Sequence, residues 1–99
     1  MTTPDERRRN LIWGRETLEE LAVDGVVPPE WRIEAAALLG RYPALHRLED
    51  CDAEALADLQ DEFVEVLTAA KWLFMRLQHH ASSSDQRKYS LRVVLRHFV

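Results

Sequence analysis

The sequence predicts an all-α, four-helix-bundle-like single domain over residues 1–99, with a long central third helix. Three observations carry that expectation. From Leu56 to Leu77 apolar residues recur in an unbroken 3-4 pattern, with no Gly or Pro between Ala53 and His80. Helix-start chemistry stands ahead of each periodic segment, at Thr3-Pro4, Pro28-Pro29-Glu30, Asp52 and Ser83. No segment combines sustained period-2 alternation with turn residues on both sides, which argues against strands.

The first helix is predicted near 4–23. Thr3 is its N-cap, Pro4 takes N1, and Glu6 at N3 completes a capping box. Leu11, Gly14, Leu18 and Leu21 form its core stripe, and Asp24-Gly25 stops it. The second, near 29–41, buries Trp31, Ala35, Leu38 and Tyr42 and ends where Pro43 disfavours helical geometry in the preceding residue. Residues 43–52 read as a connector closed by Asp52, the N-cap of the next helix. The third helix, near 53–80, would run about 40 Å at 1.5 Å per residue and bury Leu56, Leu59, Phe63, Val66, Ala70, Leu73 and Leu77, widened by Leu67 and Phe74. Ala81-Ser82-Ser83-Ser84 breaks it, and Ser83 with Gln86 forms a second capping-box pattern. A last helix near 84–98 carries Leu91, Val94, Leu95 and Phe98 on one face.

A chain of 99 residues has no room for separate cofactor and substrate domains. A composition 46% hydrophobic and 30% charged is that of a folded globule, and no apolar run approaches the ~18 residues that cross a bilayer. The charged opening is followed by no apolar signal segment, and the single cysteine, Cys51, has no internal disulfide partner. A cytoplasmic protein without membrane association is the expectation.

Charge is polarised along the chain. Residues 49–65 hold eight acidic and no basic groups, whereas residues 66–99 hold six basic and one acidic. One account lays the basic tail against the acidic middle; another leaves the acidic face for a basic partner.

The outward stripe of the third helix reads Glu54, Asp58, Asp61, Glu65, Thr68, Trp72, Met75, His79. Its first half is acidic and its second half presents a tryptophan and a methionine. Burying one such side chain is worth about 1.5–3 kcal/mol, so a cover is expected: another helix of this chain, a second copy, or a different protein. Trp72, Met75, Asp58, Asp61, Glu65 and His79 are therefore the candidate partner-binding residues, with Trp72 and Met75 as anchors.

Catalytic and metal patterns are weak. His79 and His80 are adjacent, about 100° apart on a helix, and no His-Glu-x-x-His occurs among the four histidines. An EF-hand register over Asp50, Asp52, Glu54, Asp58 and Asp61 puts Ala55 where glycine is required. Acidic neighbours oppose a Cys51 thiolate, Ser82–Ser84 lack a nucleophile elbow, and three scattered glycines build no phosphate loop. No enzyme activity, cofactor, metal or small-molecule substrate is expected.

The basic last helix spaces Lys88, Arg92 and Arg96 by four, with Arg87 beside them, a stripe that could follow phosphates. The net charge of −4 and the missing aromatic platform make nucleic acid the weaker partner. Conversely, the acidic segment could imitate a phosphate backbone, as inhibitors from phage or mobile elements do, an anti-CRISPR for example.

The opening Met1-Thr2-Thr3-Pro4-Asp5-Glu6-Arg7, then Pro28 or Pro29, Arg32, Leu38-Leu39 and Arg41-Tyr42-Pro43, resembles a family of short bacterial proteins of uncharacterised function. That family opens with Met-Thr-x-Pro-x-Glu-Arg and ends its segment in Arg, an aromatic or His, an aromatic and Pro. The resemblance covers the first 43 residues; Val94-Leu95-Arg96-His97-Phe98 in the tail is similar to the family's Leu-Arg-His-aromatic ending. It implies a bacterial or phage-related origin and no particular activity. The functional expectation is a non-enzymatic protein-binding module, a small inhibitor or adaptor or else a homodimer, using the acidic-to-apolar face of helix three.

Overall fold

Thr3 opens the first helix as its chemistry requires: its hydroxyl accepts from the Glu6 backbone N–H at 3.2 Å, and Pro4 follows at the first helical position. The computed structural model describes residues 3–98; Met1 and Thr2 of the opening motif, and Val99, lie outside the described residues. Within them the protein is all-α, with six helices and no strand. They are α1 (Pro4–Val23), α2 (Pro29–Arg41), α3 (Leu45–Glu49), α4 (Ala53–Glu62), α5 (Val64–Gln78) and α6 (Asp85–Arg96).

Two parts of the chain depart from the expected four helices. The connector after Pro43 contains the short helix α3, which packs on α1 and buries Leu48. The segment expected as one long third helix is two, α4 and α5, interrupted at Phe63 with φ −106° and ψ 18°. A straight rod over 53–78 would run about 39 Å and present one stripe to every neighbour. The break lets α4 lean on α1 while α5 packs against both α2 and α6. Arg47 of α3 holds the corner, with a two-pronged ion pair to Glu62 at 3.0 and 3.1 Å and its guanidinium over the Phe63 ring.

Side-chain caps start α4 and α6. The Asp52 carboxylate accepts from the Ala55 N–H at 2.8 Å and starts α4. At α6 the cap is Ser84, which accepts from the Arg87 N–H, so the expected Ser83–Gln86 box is displaced by one residue. Ser83 instead donates its hydroxyl to the Leu77 carbonyl, closing the end of α5.

The pairwise packing runs α1 on α2, α2 on α5, α5 on α6 and α6 back on α1, around one core that includes Leu11, Leu18, Leu38, Leu59, Leu73, Phe74 and Leu91. α1 comes closest to its neighbours at Gly14, where an added Cβ would lie 2.7 Å from the Tyr42 hydroxyl and press on the Phe98 ring. The buried Tyr42 hydroxyl donates to the Leu11 carbonyl, and the buried Asn10 amide donates to the Val93 and Val94 carbonyls of α6.

Candidate functional site

The outward face of α5 follows from its buried one. Val66, Leu67, Ala70, Leu73, Phe74 and Leu77 turn inward, so helical spacing directs Glu65, Thr68 and Trp72 to the other side. Trp72 is 58% exposed, whereas its neighbours Leu73 and Phe74 are fully buried. Met75, one turn on, is half-buried, and His79 is exposed at the C-cap of α5. The backbone under Trp72 is held by Arg76, whose Nε donates to the Trp72 carbonyl, whose guanidinium pairs with Glu34 and which stacks over Trp31 of α2.

The break at Phe63 divides the expected stripe. Asp58 and Asp61 belong to α4, while Glu65, Trp72 and Met75 belong to α5. The structure brings Asp61 and Glu65 together around a shallow hollow at the corner, with Arg41 on its rim at 4.0 Å from Glu65. Glu54, Asp58 and Asp61 are exposed and enter none of the ion pairs among the described residues. The hydrogen bonds from Arg47 hold the Glu62 carboxyl below the usual carboxylate range and keep the Arg47 guanidinium firmly charged.

The basic tail does not lie on the acidic middle. Arg87, 18% exposed, pairs with Glu20 at 3.0 Å and Asp24 at 3.3 Å, both at the C-terminal end of α1. Arg87 is thereby committed inside the fold. Arg92 stacks over the Tyr89 ring, Arg96 is exposed and Lys88 is half-buried, so the four basic candidates do not form one free strip. Asp24 also accepts from the Val26 N–H; that bond first, and the Arg87 guanidinium with it, lowers its carboxyl from the usual range.

Cys51 donates its thiol to the Arg47 carbonyl, and burial drives the Tyr42 phenol far above its ordinary range. Among the described residues no three His, Cys, Asp or Glu side chains converge as metal ligands, and no helix is long and apolar enough to cross a membrane.

Two further aromatics outside the sequence-derived candidates are exposed, Trp13 at 42% and Tyr89 at 62%. Both border a hollow between α1 and α6. The sequence carries a signal for Trp13, which interrupts the stripe Glu6, Arg9, Glu16, Glu20 as Trp72 interrupts its own.

Comparison with known proteins finds no matching family model, no matching curated protein and no matching solved structure.

Proposed function

We propose that this chain is a non-enzymatic protein-binding module, an inhibitor or adaptor, that engages a basic partner through the outward face of α4 and α5. The observation that carries the reading is Trp72, more than half exposed on a helix whose next two residues, Leu73 and Phe74, are wholly buried. A large rigid side chain left in water at the edge of an acidic segment is the arrangement in which an aromatic anchor supplies affinity and surrounding carboxylates supply orientation. Asp58, Asp61 and Glu65 are the charge-complementing residues, and Met75 and His79 follow the anchor along α5, one and two helical turns on. The scaffold is bundle-like, with α1, α2, α5 and α6 as its four long members.

A second reading has its own support. Among the described residues Glu54, Asp58 and Asp61 of α4 enter no ion pair while Arg87 of α6 pairs with Glu20 and Asp24, so those three carboxylates are available to a groove that otherwise holds phosphates. On that reading the partner is a nucleic-acid-binding complex and the strip occupies its basic groove.

The experiment is capture from bacterial extract by immobilised wild type, with Trp72→Ala and the pair Asp58→Lys, Asp61→Lys as matched baits. A specific partner recovered by the wild type and lost with Trp72→Ala, at unchanged helical content, supports the module. A partner lost with the lysine pair and retained by Trp72→Ala selects phosphate imitation. Equal recovery by all three baits contradicts both.

A further inference from the structure

We propose that the groove between α1 and α6 docks a second copy of this chain, with the two grooves related by a two-fold axis and running antiparallel. α1 and α6 are themselves antiparallel: His97 faces Glu6, Asn10 bonds Val93 and Val94, and Arg87 reaches Glu20 and Asp24. Three hollows follow this seam, the first two sharing Trp13 and Val93, the second and third sharing Glu20, Arg87 and Ser90, so that they make one continuous groove. From Glu6 to Asp24 it runs about 27 Å. None of Trp72, Met75, Asp58, Asp61, Glu65 or His79 lines it, and the inference is independent of the proposed function.

The occupant follows from how charge is laid along the groove. Its middle holds the exposed aromatics Trp13 and Tyr89 with Val93, beside the uncharged Thr17 and Ser90, before the charged Glu16, Glu20 and Arg87 begin. One end carries Arg9 and Arg96 against the single carboxylate Glu6. The other carries Glu16, Glu20 and Asp24 against one cation, Arg87, already engaged by two of them. A surface basic at one end, apolar at the centre and acidic at the other is complementary to itself when turned through a half rotation. A two-fold axis through the Trp13–Tyr89 centre lays each basic end on the other copy's acidic end, and an isologous interface needs that self-complementarity.

Area agrees with this occupant and sets the strength. A face about 27 Å long and two helices, or about 20 Å, wide presents about 500 Å². The pair would bury about 1,000 Å², at the lower bound for a specific interface. Paired Trp and Tyr anchors at the centre then carry most of the affinity, and a reversible dimer of micromolar strength is expected.

Sedimentation equilibrium on the full chain tests the proposal, with circular dichroism confirming that each variant folds. The wild type should dimerise in the micromolar range and lose at least about tenfold in affinity with Trp13→Ala. Arg9→Glu with Arg96→Glu should be monomeric, and Glu16→Lys with Glu20→Lys, in which Arg87 keeps Asp24, should be monomeric too. Mixed together, these two variants should restore a species of dimer mass, while Trp72→Ala dimerises as the wild type does. A monomeric wild type, including one whose groove binds a foreign helix, overturns the proposal. So does a dimer unaffected by Trp13→Ala, a mixture that stays monomeric, or a dimer abolished only by Trp72→Ala.

Discussion

Gly14→Ala is expected to destabilise the protein by about 2 kcal/mol, although alanine is the better helix former by about 1 kcal/mol in a helix interior. The added methyl would lie 2.7 Å from the Tyr42 hydroxyl and closer still to the edge of the Phe98 ring. Neither has room to withdraw. The Tyr42 hydroxyl is buried and bonded to the Leu11 carbonyl, and Phe98, 1% exposed, meets Phe74 edge to face at 5.5 Å. Overpacking of a close-packed core costs about 1–3 kcal/mol, and two obstructions on two elements place this site at the upper end. The net loss corresponds to a fall in Tm of about 10 °C for a domain of this size. Urea unfolding at unchanged m-value reads it directly. In a Phe98→Leu background the same substitution should cost less, giving a coupling term in a double-mutant cycle. A Gly14→Ala protein as stable as wild type, or more so, would refute the close approach of α1 to Phe98 and Tyr42.

Asp24→Asn should lower stability at neutral pH, and the difference should close on acidification. The folded carboxyl is held below the unfolded value of about 3.9, so its contribution is fully present above that pH and disappears as pH falls through the lower folded value. Thermal melts of both proteins at neutral and strongly acidic pH check this, and a pH-independent difference would contradict it. Asn10→Ala should cost about 1–3 kcal/mol, because the buried Val94 carbonyl and the part-buried Val93 carbonyl of α6 lose the amide that bonds them. Its signature in hydrogen exchange is earlier opening of α6 than in wild type, and unchanged protection there would count against the role.

Where local chemistry decides a boundary, the sequence is a sufficient guide. Thr3-Pro4 and Asp52 start helices because their side chains satisfy specific backbone donors, and Pro43 ends α2 through sterics confined to its neighbour. The interruption at Phe63 carries no such mark. The apolar 3-4 pattern continues through it, no Gly or Pro is present, and the bend is set by which helices α4 and α5 each must cover. The short helix α3 is hidden for a related reason: five residues are too few for a periodic pattern. Charge patterning misleads about pairing, since Arg87 reaches Glu20 and Asp24, more than sixty residues away, and not the carboxylates nearer in sequence. At the candidate site, the exposure of Trp72 follows from its position opposite the core stripe, and the half-burial of Met75 does not. The Trp13–Tyr89 groove needs two helices brought side by side, which no single segment announces.

The proposed function requires α5 to give one side to the core and to leave the other free for a partner. The urea midpoints of Trp72→Ala and Leu73→Ala distinguish the two sides. Trp72→Ala should stay within about 0.5 kcal/mol of wild type, and Leu73→Ala should lose about 2–5 kcal/mol. Comparable losses for both would make the indole a structural residue and leave the face without its anchor.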